Sequence, residues 1–247
     1  MCLALMEDKV LYSGWGGIGD ICQFLSLPRK FTELGHDVYL SSKTTFRNPE
    51  IKELLIDLNP YVKGVSDKEP NCGNPVDGIE YQDICGNFIM NWEFAHGLNP
   101  TSKYPDLYYT PKPVNAISDR ILLDLTATTA GRQNIYDPEN LRSFIQETYE
   151  RDKITICCFR DGIANSLLLL DGYDMIFVES IFHYADLIHS CHRFVCLHSG
   201  GMVLASALNK YGEINVDCLI THSMYHEIAI LKHHHFYDNI NYIWIDN

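Results

Sequence analysis

A glycine-rich segment near the start of the chain contains residue types that can hold an anion or move a proton. The segment runs from Lys9 to Asp20 with the sequence KVLYSGWGGIGD. This pattern predicts a short buried strand, a turn and the start of a helix. Backbone N–H groups at a helix N-terminus carry partial positive charge, and glycine lets a ligand come close to them. The segment therefore predicts a site for phosphate or carboxylate groups around Gly16 and Gly17.

Two interpretations of this segment remain open. Gly14, Gly16 and Gly19 have the spacing G-x-G-x-x-G of a dinucleotide-binding turn. The shorter run from Gly17 to Asp20 instead places a carboxylate in the first helical turn, facing whatever the loop binds. A carboxylate repels a pyrophosphate, but it can accept a proton from a hydroxyl group. The first interpretation predicts NAD(P) binding, and the second predicts that Asp20 is a general base.

A second glycine turn occurs in the other half of the chain. His198, Ser199, Gly200 and Gly201 follow one predicted strand and precede a predicted helix. The N–H groups of such a turn point at whatever lies beyond the helix N-terminus, and they favour anions there. We predict that this turn holds a diphosphate, whereas a tight strand-to-helix turn without a ligand is the structural alternative.

Hydroxyl and basic side chains follow two further predicted strands. They are Thr126, Thr128, Thr129, Arg132 and Arg160. Hydroxyl groups and backbone amides at a strand end can bind phosphate, and arginine can neutralise it through two parallel hydrogen bonds. These residues are predicted to contact a phosphate-bearing ligand, although a solvated surface side chain is the alternative for each arginine.

Strands and helices alternate along the chain, which predicts parallel sheets covered by helices on both faces. The first run contains a strand at 9–13, a helix at 19–34 that Pro28 distorts, a strand at 38–40, and a helix at 48–58 capped by Asn48. The stretch 66–113 is rich in Pro, Gly, Asn and Tyr. It is predicted to be irregular, with short strands at best.

A second run of alternating elements begins near Ser118. Its predicted strands are 121–125, 154–159, 175–178, 194–197, 218–220 and 242–245, with a helix between the last two. Each run has its own glycine turn. The sequence therefore predicts an α/β fold of two Rossmann-like parallel-sheet lobes with a cleft between them. The N-terminal domain would span residues 1–114 and the C-terminal domain residues 115–247.

Charge and composition disfavour several classes of partner. The 247 residues include 32 acidic and 19 basic side chains, for a formal net charge of −13. Such a surface disfavours nonspecific binding to nucleic acids and anionic membranes, because both are polyanions. No apolar run reaches the roughly 18 residues of a membrane span. The segment 1–6 is too short for a signal peptide, so a cytoplasmic location is expected.

Cysteine and histidine spacing predicts neither a disulfide framework nor a metal site. The 9 cysteines follow no regular pattern, as expected for reduced thiols in a cytosolic protein. The consecutive residues His233, His234 and His235 cannot all converge from one regular element, and no Cys/His zinc spacing occurs. We therefore expect no bound metal.

The segment from Val10 to Leu40 resembles the N-terminal unit of heptosyltransferase-type glycosyltransferases, which form glycosyltransferase family nine and have the two-domain GT-B fold. The shared features are Gly19-Asp20 at the helix start, Leu27-Pro28, Arg29-Lys30, and Gly35-His36 before the second strand. In the second half, the segments 136–141, 182–188 and 198–208 resemble the family's phosphate-loop helix and donor-binding signature. The blocks occur in the family's order and cover about half of the chain.

The resemblance implies a metal-independent glycosyltransferase that needs no cofactor. It would move a sugar from a nucleotide diphosphate-sugar donor to an acceptor hydroxyl on a glycan or another molecule. It assigns Asp20 as the base for that hydroxyl, and it assigns the turn of Ser199, Gly200 and Gly201 to the donor diphosphate. The family commonly has a lysine that neutralises the leaving group; Asn134 stands at that place here, and Arg132 lies two residues earlier.

The chain departs from the family pattern in the donor-binding signature. His198 stands where the family usually has Asp, and Val203 stands where it has His. A catalytically inactive sugar-nucleotide-binding protein would fit the missing histidine. The third hypothesis is an NAD(P)-dependent oxidoreductase; its second strand would end at Ser42 and Lys43, which suit a 2′-phosphate better than a ribose hydroxyl. The sequence does not determine the donor sugar, the base of the nucleotide, the acceptor or the oligomeric state.

Overall fold

The chain divides into two compact units, residues 1–109 and 110–247. The structure, a computed structural model, describes residues 7–82, 84, 86–126, 137–159, 172–210, 213–221 and 237–245. Each unit is built around one sheet, with four strands in the first unit and six in the second. Every strand pair in both sheets is parallel, which confirms an α/β fold of two parallel-sheet lobes.

The sheet of the first unit has the strand order β3-β2-β1-β4. The elements of this unit are β1 (Lys9–Ser13), α1 (Ile18–Cys22), α2 (Ser26–Glu33), β2 (Val38–Ser41), α3 (Pro49–Lys52), β3 (Val62–Ser66), β4 (Cys72–Asn74) and α4 (Phe88–Ala95). A π-helical turn, Glu53–Asp57, continues α3. Leu11, Phe24, Leu27 and Trp92 are buried together in the core of this unit.

The single helix predicted over 19–34 is wrong, because the chain forms two helices, α1 and α2. A proline inside a helix lacks the N–H donor, and its ring clashes with the carbonyl group four residues earlier. Pro28 is the third residue of α2, in the first turn, where its N–H is not needed. The helix therefore restarts just before Pro28. Gly35 follows α2 with a φ of 93°, as expected for a glycine that ends a helix.

The predicted irregular stretch 66–113 contains a helix, α4, that the sequence pattern did not reveal. The helix has the sequence FIMNWEFA, and Ile89 and Trp92 are buried in it. Because apolar side chains occur on most of its faces, the helical period is hidden. Asn87 caps the helix, since its side chain accepts a hydrogen bond from the N–H group of Met90 at 3.0 Å. The edge strand β3 was not anticipated either.

The sheet of the second unit has the strand order β10-β9-β8-β5-β6-β7. The elements of this unit are β5 (Ile121–Asp124), α5 (Pro138–Thr148), β6 (Ile154–Cys158), β7 (Asp174–Phe177), α6 (Ile181–Ser190), β8 (Arg193–Leu197), α7 (Gly200–Leu208), β9 (Asn215–Thr221) and β10 (Asn241–Ile245). All six predicted strands are confirmed to within a few residues. The helix predicted between the last two lies outside the described residues.

The strand orders identify where each sheet opens a crevice. The six-stranded order is that of a complete Rossmann sheet, and its connections change direction between β5 and β8. In the first unit the corresponding point lies between β1 and β4. Ligands of open α/β sheets bind beyond the carboxyl ends of the strands at such a point. Both glycine turns follow strands that border these two points.

The described cysteines are all buried and free; they are Cys22, Cys72, Cys157, Cys158, Cys191, Cys196 and Cys218. This agrees with the expected reduced thiols at those positions. In the described part of the chain, no helix is both long enough and apolar enough to cross a membrane.

His96, at the end of α4, is a partly buried histidine whose hydrogen bonds admit only the neutral ring. Its Nε2 accepts from the N–H group of Gly73 at 2.8 Å, so its Nδ1 must carry the proton shared with the Trp92 carbonyl oxygen at 2.6 Å. Burial lowers the pKa of His96 below its ordinary value of 6.5, and Lys9 lowers it further. These two causes outweigh the hydrogen bond that the ring donates to the Trp92 carbonyl oxygen, which raises the pKa.

We expect His96 to make the folded protein sensitive to acid. The pKa of His96 is lower in the folded state, so the unfolded chain binds more protons below about pH 6.5. The free energy of unfolding therefore decreases as the pH is lowered through that range. The stabilisation is present in full above about pH 6.5 and is lost as the pH falls towards the folded pKa, by at most about 1.4 kcal/mol per pH unit. Urea unfolding of wild type and His96→Gln between pH 7.5 and 5.5 measures the difference. Identical pH slopes for the two proteins would contradict this role of His96.

Candidate functional site

The first glycine turn connects β1 to α1, and much of it contacts its own chain. The N–H group of Gly14 donates to the carbonyl oxygen of Asn74 at 2.8 Å, which ties the turn to β4. The carbonyl oxygen of Gly16 accepts from the N–H group of Arg47 at 3.0 Å. A Cβ atom on Gly16 would lie 2.8 Å from the carbonyl oxygen of Thr45, which is too close. Packing against residues 45–47 is therefore sufficient to explain this glycine.

Asp20 is the third residue of α1, and its carboxylate folds back over the turn. Its Oδ2 accepts from the N–H group of Gly17 at 3.2 Å, as the third residue of a helix does in a capping box. Asp20 is partly buried, and Gly19 precedes it in the same helical turn. The carboxylate thus stabilises the helix N-terminus and also lies at the carboxyl edge of the sheet, where a ligand would bind.

Two buried side chains hold the backbone of Asp20, a contact that no sequence pattern indicated. The Nε2 of Gln23 donates to the carbonyl oxygen of Asp20 at 2.6 Å, and Nε1 of Trp92 donates to Oε1 of Gln23 at 2.7 Å. Because an indole N–H can only donate, Trp92 sets which end of the Gln23 amide faces Asp20. The helix α4 therefore helps to position α1.

Arg47 is a basic side chain beside the first turn that the sequence interpretation also missed. A Cβ atom on Gly17 would lie 3.5 Å from Nη1 of Arg47 and 2.7 Å from Oδ2 of Asp20. The guanidinium group and the carboxylate of Asp20 therefore both lie beside Gly17. The only signal in the sequence is that Arg47 follows β2 by a few residues, at the carboxyl edge of the sheet.

The second glycine turn connects β8 to α7. Ser199 is the N-cap residue, and its Oγ accepts from the N–H group of Gly201 at 3.2 Å. Gly200 is the first residue of α7. A Cβ atom on Gly201 would overlap the hydroxyl oxygen of Tyr184 and would lie 3.1 Å from Oδ2 of Asp124. His198 is buried, with 3% of its surface exposed.

Asp124 is a buried carboxylate at the carboxyl end of β5, next to the second glycine turn. Only 2% of Asp124 is exposed. Its Oδ1 accepts from the N–H group of Thr126 at 2.9 Å and from the Thr126 hydroxyl at 2.5 Å, and its Oδ2 accepts from the hydroxyl of Tyr184. Burial raises the pKa of Asp124, and these hydrogen bonds only partly oppose that shift. The pKa of Tyr184 is also raised, by burial and then by Asp124.

The structure brings the predicted site residues together in two groups. Gly16, Gly17, Gly19 and Asp20 share the turn of the first unit. In the second unit, Thr126 and the residues 198–201 follow β5 and β8, which are adjacent strands. Thr128, Thr129, Arg132 and Arg160 lie outside the described residues. Among the residues that the structure does describe, no group of His, Cys, Asp and Glu side chains is arranged to hold a metal ion.

Solved structures with a similar fold are found when the whole chain is compared with known proteins. The chain superposes on a family 9 glycosyltransferase from Veillonella parvula with a TM-score of 0.66, 6% identity, and coverage of 98% of this chain and 87% of that one. The ADP-heptose lps heptosyltransferase II of Escherichia coli gives a TM-score of 0.59, 12% identity and coverage of 95% and 90%. The chain has the fold of these two glycosyltransferases.

A third neighbour is longer than this chain. The iron-containing dodecameric glycosyltransferase TibC of enterotoxigenic Escherichia coli H10407 gives a TM-score of 0.61 and 16% identity. The match covers 88% of this chain but 59% of TibC. No protein-family model matches the sequence, and no curated protein sequence matches it. At these identities the likeness extends to the fold, and the chemistry depends on this chain's own residues.

Proposed function

We propose that the protein is a glycosyltransferase that moves a sugar from a nucleotide diphosphate-sugar to an acceptor hydroxyl. The observation that carries the proposal is the position of the Ser199-Gly200 turn. It starts α7 at the point where the strand order of a complete Rossmann sheet reverses, in a fold shared with heptosyltransferases. The N–H group of the first helical residue, Gly200, has no partner within its own helix, so it suits a diphosphate oxygen.

In the proposed reaction, residues of this chain accept the proton and stabilise the leaving group. The acceptor oxygen attacks the anomeric carbon of the sugar, and the bond from that carbon to the donor diphosphate breaks. The nucleoside diphosphate leaves with the electron pair, and the acceptor proton passes to the carboxylate of Asp20. The N-terminus of α7, together with Arg132 and Arg160, would stabilise the charge on the leaving group, so that no metal is needed. TibC, by contrast, is iron-containing.

The donor is proposed to be an adenosine diphosphate-sugar, because TibC was solved in complex with ADP-D-beta-D-heptose. We expect ADP to stabilise the wild-type protein against heat, by roughly 2.7 kcal/mol at a hundred times its dissociation constant. Gly200→Val should weaken ADP binding at least tenfold, because the added methyl groups keep a diphosphate away from the N-terminus of α7. Calorimetry gives both affinities, with a chelator present because the proposal needs no metal.

Gly200→Ala is the matched control for this experiment, because it changes the same residue but introduces a smaller side chain. Gly200→Ala adds only one carbon, so it should weaken ADP binding less than Gly200→Val does. Gly200 lies within α7, so either substitution should leave the backbone helical, and circular dichroism checks this. If a folded Gly200→Val protein binds ADP as tightly as the wild type, the diphosphate does not bind at this turn.

A non-catalytic sugar-nucleotide-binding protein is the second candidate function. The observation that favours it is that Val203 is buried, with 6% exposed, so no polar group acts from that position of α7. Donor binding without transfer to any acceptor would support this candidate. The oxidoreductase hypothesis is weaker, because Nζ of Lys43 lies 2.7 Å from both carboxylate oxygens of Glu69. An acidic partner at that place repels the 2′-phosphate of NADP.

A further inference from the structure

We propose that Asp124 and Tyr184 are positioning residues for the Ser199-Gly200 turn, and that Gly201 is a glycine in order to admit the Tyr184 hydroxyl rather than a ligand. The part of this inference that concerns ligand binding rests on the proposed function. The part that concerns Gly201 does not, because it depends on packing alone.

The carboxylate of Asp124 connects three elements that meet at the reversal of the strand order. Its Oδ1 accepts from the N–H group and the hydroxyl of Thr126, at 2.9 Å and 2.5 Å, and so fixes the segment that follows β5. Through the hydroxyl of Tyr184 it holds α6. That hydroxyl lies against Gly201, the second residue of α7. A shift of Tyr184 would therefore move the N-terminus of α7 relative to the end of β5.

Both the N–H group of Gly201 and the space beside its Cα atom are already occupied by contacts within the protein. Its N–H group already donates to Oγ of Ser199 at 3.2 Å. The side of its Cα atom where a side chain would point is filled by the Tyr184 hydroxyl, with Oδ2 of Asp124 3.1 Å away. Gly201 is also buried. The ligand contact of this turn is therefore assigned to Gly200, and the close approach at Gly201 is made by the protein.

A second buried tyrosine–aspartate pair in the same unit provides a matched control. The hydroxyl of Tyr149 donates to Oδ2 of Asp217 at 3.0 Å, and Asp217 is 2% exposed, like Asp124. Asp217 pairs with Asn241, the first residue of β10, and is bonded to Arg193, the first residue of β8. Tyr149 thus lies towards the amino ends of these strands, away from the turn. Tyr149→Phe removes the same chemical group as Tyr184→Phe at a place that does not touch α7.

The experiment is a double-mutant cycle of Gly201→Ala and Tyr184→Phe, with Tyr149→Phe as the control. Urea unfolding midpoints and the dissociation constant for ADP are measured for each protein. Gly201→Ala should lower the midpoint strongly, because its methyl group overlaps the hydroxyl. In the Tyr184→Phe background the same substitution should cost much less, since the hydroxyl is gone. Tyr184→Phe should weaken ADP binding about tenfold, whereas Tyr149→Phe should leave it unchanged.

Each contrary result would overturn a different part of the proposal. If Gly201→Ala lowers the midpoint equally in both backgrounds, Tyr184 is not the reason for the glycine. If Gly201→Ala weakens ADP binding further in the stable Tyr184→Phe background, a ligand does approach Gly201. Unchanged ADP binding in Tyr184→Phe overturns the positioning role. Absence of ADP binding by the wild type overturns the proposed donor and, with it, the positioning role, while the midpoints still decide the packing role of Gly201.

Discussion

Asp20→Asn is expected to lower the rate of sugar transfer by about 10²–10⁴-fold, the usual contribution of general base catalysis. The amide has the shape of the carboxylate and can still accept from the N–H group of Gly17, so the turn should keep its structure. It cannot take the proton of the acceptor hydroxyl. The donor should still bind, because the proposed diphosphate site is the Ser199-Gly200 turn, which this substitution leaves unchanged. Steady-state rates at saturating donor, with calorimetry for binding, measure both effects.

A carboxylate elsewhere in the same unit serves as the control for Asp20. Asp57, in the π-helical turn after α3, is exposed and lies 2.5 Å from Nζ of Lys52. Asp57→Asn makes the same chemical change on the surface and should leave transfer unaffected. Equal transfer rates for Asp20→Asn and wild type would remove Asp20 from the mechanism. Transfer that is absent from the wild type with a donor that binds would favour the non-catalytic candidate.

Lys30→Met is expected to destabilise the protein by about 3–5 kcal/mol, because it leaves a buried carboxylate without its cation. Nζ of Lys30 lies 2.8 Å from Oε2 of Glu93, and the side chains are 8% and 0% exposed. The same Oε2 accepts from the N–H groups of Thr101 and Ser102 at 2.8 Å and 3.1 Å. The pair therefore connects α2, α4 and the loop after α4. Urea unfolding at pH 7 measures the loss.

Two further variants separate the buried charge from the lost side chain. Lys43→Met breaks an ion pair of similar length with Glu69, but those side chains are 52% and 85% exposed, so it should cost less than about 1 kcal/mol. Lys30→Met with Glu93→Gln removes the orphaned charge and keeps an acceptor for the loop, so it should recover part of the loss. Equal costs for Lys30→Met and Lys43→Met would show that burial adds nothing to this pair.

The pH dependence of the buried pair has a defined sign. Burial alone would raise the pKa of Glu93, but the hydrogen bonds from Lys30 and Ser102 outweigh it, and the pKa lies below its ordinary value. A lowered carboxyl pKa gives stability that is present above the unfolded pKa of about 4.3 and lost as the pH falls through the folded pKa. The Lys30–Glu93 pair therefore stabilises the protein at neutral pH and contributes to its loss of stability in acid.

The sequence by itself determined the order and type of most elements, because those signals are local. The apolar runs at 121–125 and 194–197 are buried strands in the structure. Ser180 and Ser199 are the N-cap residues of α6 and α7, and serine is one of the residues most favoured at that position. The alternation of strands and helices then implied parallel sheets, since such sheets need helical crossovers. The two glycine turns were found by the same local reasoning.

Only the tertiary structure decided what those turns contact, because the deciding partners are far apart in the chain. Trp92 and Gln23 are 69 residues apart, and Tyr184 and Asp124 are 60 apart. A glycine that makes room for a ligand and one that makes room for a distant tyrosine look alike in a sequence, since both simply lack a side chain. Gly201 has Tyr184 against it, and Gly16 has the residues 45–47. Close packing between remote segments, which no local pattern records, is the physical reason.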